Sequence, residues 1–386
     1  MKKVLFMISA AAVAFASCSN ESTEYVGGND NSPKEIAFKP LNQVQTRSAV
    51  SGTTFLDTDN FNIVAYLASG GSAAGDFFSS TLFSYDSGEG SSPKLWTGGE
   101  NPRYWPLSAS ILNFLAVTNT SGVVSGKVST TFGEGDTPSN YAKKAVVTLS
   151  SNNAWDQADL MYAAGQGRVT QSGNALTYGN NVSLVFQHAL AWINFTVKTS
   201  TSATGLTVAV NSITLNGAEY NGTYTINNVA DTGDEKHGYD SNAYTGSYNN
   251  AAGSAPEAAV WANLKGTWDY STSDAAINQL VPNSAHNAAQ GTVTLNSTAA
   301  DFGAGLLVIP EAKATGFTIN YTITQGGNEN TYTYTYTFSD AEKNWSQRKK
   351  YTFAVDITLT EIKVAPSVTN WSEQSATTVT VPGSGS

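Results

Sequence analysis

The chain has 386 residues, 20 Lys and Arg against 30 Asp and Glu, a formal net charge of −10, and only 13% charged residues. An acidic, charge-poor chain lacks the basic footprint needed to neutralise phosphates, which argues against nucleic acid as a partner. Its single cysteine rules out an internal disulfide, a thiolate zinc cage and an iron–sulfur centre, since each draws on more than one thiol.

The chain opens with Lys2 and Lys3, an apolar run from Val4 to Phe15, then Ala16-Ser17-Cys18 and an abrupt rise in polarity at Ser19-Asn20-Glu21. This pattern predicts a secretory signal peptide over residues 1–17. The apolar run is too short for a bilayer that needs about 20 residues, so it reads as an export address and not as an anchor. Phe15-Ala16-Ser17-Cys18 resembles a bacterial lipobox, in which the thiol is acylated and the cysteine becomes the mature N-terminus. By that resemblance Cys18 carries lipid, and two or three acyl chains at about 0.8 kcal/mol per buried CH₂ would hold the precursor on the outer membrane.

From Cys18 to about Pro33 the chain is Ser, Asn, Gly and acidic, which reads as a tether. Alternation then begins: Ile36 and Phe38 share one face, and after Pro40 come Leu41 and Val44 before Thr46-Arg47-Ser48. The spacing predicts a strand interrupted at Pro40. Further short strands are predicted from Phe61 to Leu67, Phe77 to Tyr85, Leu112 to Thr118, Ala145 to Leu149, Asp159 to Ala163 and Val182 to Lys198. Gly, Ser and Asn clusters between them argue for a sandwich or barrel over βαβ units.

In the second half, Leu206 to Val210, Ser212 to Leu215, Leu306 to Ile309 and Phe317 to Ile323 read as strands. Tyr332-Thr-Tyr-Thr-Tyr-Thr-Phe338 has a period of two, placing its aromatics on one face and its threonines on the other. With the strand from Tyr351 to Leu359 it predicts a hairpin whose aromatic stripe is a core face, the alternative being a sugar platform. Asp231 to Gly253 reads as a long exposed loop whose acidic residues, Asp231, Asp234, Glu235 and Asp240, offer weak Ca²⁺ affinity at most.

Chemical motifs are sparse. Gly165-Gln166-Gly167 lacks the third glycine of a dinucleotide loop and reads as a turn. His188, inside an apolar run, reads as a satisfied core histidine. No catalytic residue, cofactor or metal ligand is assigned, and the chain is expected not to be an enzyme.

Several segments together resemble the fimbrillin family of Bacteroidetes lipoprotein pilins, the FimA-like and Mfa-like subunits. They are the lipobox at Cys18, the Ile36-Ala37-Phe38 strand running to Thr46-Arg47, Asp159-Leu-Met-Tyr-Ala163, Val182-Ser-Leu-Val-Phe-Gln-His188-Ala-Leu-Ala191, Leu307-Val-Ile-Pro310, Trp345 leading to Tyr351-Thr-Phe353, and Val368-Thr-Asn-Trp371. The resemblance implies an all-β chain of two transthyretin-like β-sandwich domains after a lipoprotein signal peptide and a removable N-terminal strand. The expected division is 1–17 signal peptide, 18–47 lipidated propeptide, 48–181 first sandwich and 182–386 second sandwich.

It further implies a fimbrial subunit exported as an outer-membrane lipoprotein and cut between Arg47 and Ser48 by an arginine-specific surface protease. The subunit would then polymerise by donor-strand exchange with other fimbrial subunits into a cell-surface fimbrium that supports adhesion. The removable strand would carry Ile36, Phe38, Leu41 and Val44, worth about 1.5–3 kcal/mol each when buried. The donor candidate is Thr378-Val379-Thr380-Val381, thin in apolar content, with Ile362 to Val368 as a second contributor. The competing reading is a permanently anchored surface lipoprotein, either a fimbrial anchor or tip or a glycan-binding adhesin.

Overall fold

The computed structural model describes residues 33–41, 60–69, 72–89, 94–119, 128–134, 143–149, 159–178, 182–218, 222–228, 248–249, 264–269, 277–281, 292–303, 305–310, 314–359 and 361–370. Apart from one 3₁₀ turn at Ser87–Glu89, every described element is a strand, so the chain is all-β as its sequence predicts. In chain order the first are β1 (Phe38–Leu41), β2 (Asn60–Ser69), β3 (Ser72–Tyr85), β4 (Trp96–Thr97), β5 (Ser110–Asn119), β6 (Val128–Glu134), β7 (Lys143–Leu149) and β8 (Met161–Ser172). Next come β9 (Ala175–Tyr178), β10 (Val182–Val185), β11 (Gln187–His188), β12 (Ala191–Lys198), β13 (Leu206–Ala218), β14 (Gly222–Asn228), β15 (Tyr248–Asn249) and β16 (Leu264–Asp269). The last are β17 (Ile277–Leu280), β18 (Val293–Thr294), β19 (Ala300–Asp301), β20 (Leu306–Val308), β21 (Gly316–Gln325), β22 (Asn328–Thr337), β23 (Lys349–Ile357) and β24 (Ile362–Asn370).

Four sheets result. One orders β10-β1-β4-β3-β2-β5-β8-β11, with β9 and β15 added on β8. Its buried face gathers Ile36, Phe38, Phe61, Phe83, Phe114 and Phe186. Two further sheets, β19-β12-β23-β24 and β17-β13-β21-β22, face each other over a second core. Across it Phe195 of β12 meets Phe317 of β21 edge-on at 5.0 Å, and Phe353 of β23 lies 5.6 Å from Phe317. Phe186 belongs to the first core and Ala191 to the second. Val182, Leu184 and Phe186, which the expected division assigns to the second unit, thus pack in the first core. The fourth sheet, β16-β14-β7-β6, also joins segments from both sides of that division, with Gly222 to Ile226 laddered on Leu149 to Ala145.

Several local expectations change. Pro40 does not interrupt β1, which stays in parallel register from Phe38↔Val182 to Leu41↔Val185. The amide of Val182 donates to the carbonyl of Ala37. By alternation Pro40 turns its donorless nitrogen to the other side, where β4 pairs only at Phe38. Gly165 and Gly167 lie within β8 and not in a turn, paired with Phe114 and Leu112. Val182 to Lys198 is three strands, and Leu206 to Leu215 is one strand with a register shift between Val210 and Ser212.

β22 and β23 do not form a hairpin. β22 pairs with β21, whereas β23 lies in the opposite sheet between β12 and β24. Their aromatics meet across the core, Phe338 stacking on Phe353 at 4.9 Å. The tyrosine stripe is a core face only at its end: Phe338 is buried, Tyr336 half-buried and Tyr332 44% exposed, because β22 is an edge among the described strands.

Candidate functional site

The site that the fold singles out is the bed of β1. A short first strand would ordinarily be an edge, yet β1 lies inside its sheet, with β10 on one side and β4 on the other. The residues just before it are held as firmly. The amide of Ile36 donates to the carbonyl of Arg103 at 2.6 Å, the amide of Trp105 donates to that of Lys34 at 2.9 Å, and Glu35 bridges Tyr104. Partial desolvation beside the bed pushes the Lys34 ammonium below the usual lysine range.

Ile36 and Phe38 have no exposed surface. The Phe38 ring stands edge-on to three others, those of Phe61 at 5.9 Å, Phe83 at 4.9 Å and Phe114 at 5.0 Å. Burying these two side chains contributes about 3–6 kcal/mol, and aromatic edge contacts add about 0.5–1.5 kcal/mol per pair. The floor of the bed is tightly fitted. A Cβ at Gly167 of β8 would collide with the ring of Trp105, and that ring in turn stands perpendicular to Phe114 at 6.1 Å. Arg103 closes one side, donating from Nε to Thr81 at 3.0 Å and lying 5.4 Å over the Phe78 ring.

Of the predicted removable strand, the structure thus brings Ile36 and Phe38 into one buried cluster and sets the backbone of Leu41 opposite Val185. Val44, the predicted cut at Arg47 and Ser48, the predicted lipid site Cys18, the acidic loop residues Asp231, Asp234, Glu235 and Asp240, and the predicted donor Thr378, Val379, Thr380 and Val381 lie outside the described residues. The second contributor, Ile362 to Val368, is part of the sheet-edge strand β24, with Ile362 and Val364 packed on the second core and Val368 41% exposed.

A buried polar cluster, largely unforeseen from sequence, lies where the chain passes from one core to the other. The His188 Nδ1 sits 3.0 Å from Oδ1 and 2.9 Å from Oδ2 of Asp159, with both side chains buried. His188 is therefore the satisfied core histidine that its apolar surroundings predict. Beside it the Arg348 Nη1 donates to Gln187 at 3.0 Å, and the Arg348 amide donates to the carbonyl of Leu190 at 3.1 Å. These bonds hold Arg348 at a φ of 61°, a left-handed backbone that costs a non-glycine residue about 1–2 kcal/mol. Tyr224 donates to Gln347 at 2.8 Å and packs at 5.6 Å on Tyr162. Burial raises both phenols above the ordinary tyrosine range, Tyr224 well above it. The sequence signal was available in outline as polar residues embedded in apolar runs at Asp159, Gln187-His188 and Gln347.

Among the described residues no group of three or more His, Cys, Asp or Glu is gathered to hold a metal ion. The chemistry of the β1 bed is that of strand pairing and apolar burial.

A protein-family model described as fimbrillin-like matches residues 46–371. No curated protein sequence matches the chain. Among solved structures, a candidate cell adhesion protein of Bacteroides uniformis ATCC 8492 is similar at 17% identity and a TM-score of 0.42, covering 89% of this chain and 100% of that one. A candidate cell adhesion protein of Bacteroides ovatus ATCC 8483 is similar at 12% identity and a TM-score of 0.38, covering 89% and 99%. The fimbrial anchor protein Mfa2 of Porphyromonas gingivalis is similar at 10% identity and a TM-score of 0.31, covering 88% and 98%. With the family model spanning most of its length, the chain belongs to the fimbrillin-like family.

Proposed function

We propose that this chain is a structural, non-catalytic subunit of a cell-surface fimbria, built as two sandwich units that meet between Phe186 and Ala191. It is exported as an outer-membrane lipoprotein on Cys18, cut after Arg47, and polymerised when a neighbour's strand takes the place of β1. The observation that carries this reading is the position of Phe38, buried at the centre of an aromatic cluster on a four-residue strand inside a sheet. Withdrawing that strand strips backbone partners from β10 and leaves an apolar slot, which is what strand addition fills through ladder bonds and side-chain pockets. While the chain is uncut, β1 competes for the slot at high effective concentration and excludes the neighbour. Each subunit then donates one strand and accepts another, and a head-to-tail contact that does not close builds a filament.

N-terminal sequencing of material sheared from cells tests the reading. A start at Ser48 supports it, whereas a blocked Cys18 on the assembled protein overturns cleavage as the switch. In parallel, Arg47→Ala should give a folded protein that forms no filaments after trypsin treatment. Deleting Ser372 to Ser386 should abolish filaments in electron micrographs while the melting transition stays in place. Filaments from the truncated chain would move the donor upstream to Ile362–Val368.

A further inference from the structure

We propose that a second copy of this chain pairs with the outer edge of β22, antiparallel, about a two-fold axis at Thr333. This surface is separate from the β1 bed and does not depend on donor-strand exchange.

Natural sheets protect their edges with short strands, bulges, proline or charge. Most edges among the described strands follow that rule. β18 and β19 have two residues each, and the nine-residue β24 carries Lys363 and Pro366. β22 has no such protection. It is the longest described edge, ten residues in unshifted register with β21, with no proline or glycine and with Glu329 as its one charge. Eight of its ten residues are exposed, the exceptions being the half-buried Tyr334 and Tyr336.

The direction of its backbone groups follows from two observations. The turn before it is Gly326-Gly327 with φ of 58° and 85°, the two-residue turn that closes a hydrogen-bonded pair at Gln325↔Asn328. At the other end the amide of Phe338 donates to the carbonyl of Thr315 at 3.0 Å. Even-numbered residues therefore bond to β21, while Glu329, Thr331, Thr333, Thr335 and Thr337 turn their amides and carbonyls outward.

This outward row is self-complementary. With Thr333 opposite its own copy, Thr331 faces Thr335 and Glu329 faces Thr337, so each outward residue meets a hydrogen-bonding partner. The side chains match as well, because Tyr332 then lies opposite Tyr334. The same contacts already exist one strand inward, where Tyr321 stacks on Tyr332 at 5.5 Å and the hydroxyls of Thr318 and Thr335, and of Thr322 and Thr331, lie 3.3 Å apart. Charge fixes both occupant and direction. In a chain of net charge −10 this edge is neutral along its middle. Antiparallel pairing sends the two Glu329 carboxylates to opposite ends, about 27 Å apart at 3.4 Å per residue and beyond a Debye length of about 8 Å; parallel pairing would set them side by side.

The test is sedimentation of the full chain carrying Cys18→Ala, so that no acyl chain contributes, over a wide range of concentration, with hydrogen exchange of residues 329–337. The expected result is a monomer–dimer equilibrium in which this segment exchanges more slowly as concentration rises. Thr333→Pro removes an amide that faces solvent in the monomer together with the exposed hydroxyl bond from Thr333 to Asn320, so it should lower the melting transition only slightly and weaken the dimer roughly tenfold or more. Thr333→Lys should act likewise by adding charge to the edge. A monomer at every concentration overturns the proposal, as does unaltered dimerisation of Thr333→Pro. Loss of the dimer on deleting Ser372 to Ser386 would give the edge to the C-terminal tail and overturn it too.

Discussion

Phe38 stands edge-on to Phe83, their ring centroids 4.9 Å apart and their planes at 85°. Phe83 lies on β3, a strand that β1 reaches only by way of β4, so Phe38 fastens the first strand to the middle of its sheet through side-chain contact in addition to its ladder. Phe38 is thus a large contributor to keeping β1 in place, beside the buried Ile36 and the ladder to β10.

Phe38→Ala should therefore lower stability by about 3–5 kcal/mol, the range for a fully buried phenylalanine whose cavity cannot collapse. Urea unfolding on an Arg47→Ala background, where the strand stays covalently attached, measures the loss directly. A change below about 1 kcal/mol would show that β1 is held mainly by its backbone bonds.

Gly167→Ala tests the floor of the same bed. The added methyl collides with Trp105, so either the indole or β8 must move, at a cost of about 1–3 kcal/mol. Combining it with Trp105→Leu should recover part of the loss, because the smaller side chain leaves room for the methyl. Strictly additive losses in the double-mutant cycle would place the strain elsewhere.

The period-two pattern made the strand positions legible from Phe61, Phe77, Leu112 and Phe317 onward, because alternation depends only on neighbours in sequence. What it does not encode is where a strand sits in its sheet. The tyrosines of β22 alternate as well as any core strand, yet Tyr332 is exposed since nothing among the described residues covers that edge. The same limit hid the partner of Tyr351, which lies opposite Val368 and not on the preceding strand. Gly165 and Gly167 resembled a turn because glycine signals both turns and close approach, and only the position of Trp105 separates the two. In the site itself, Ile36 and Phe38 were recognisable as a buried face, whereas their placement inside a sheet depended on Val182 and Trp96, distant in sequence.

The buried phenols between the cores give the fold a defined alkaline limit. Burial raises Tyr224 well above its ordinary value of 10.0, and the neighbouring Tyr162 hydroxyl raises it further, while the Arg348 charge pulls the other way without prevailing. In the unfolded chain the same phenol ionises near pH 10. The folded state then holds a proton that the unfolded state has released, so stability is fully present below pH 10 and falls as pH rises beyond it, by about 1.4 kcal/mol per pH unit for this one group. Tyr224→Phe should lose about 0.5–1.5 kcal/mol at neutral pH with its bond to Gln347. Above pH 10 its stability should decline less steeply than that of the wild type, by one proton's worth. Tyr162, Tyr321, Tyr336 and Tyr351, also raised, keep a residual slope in the variant. Urea unfolding at pH 9, 10 and 11 reads both slopes. Parallel lines for the two proteins would mean that the Tyr224 hydroxyl reaches solvent and that the junction between the cores opens before the chain unfolds.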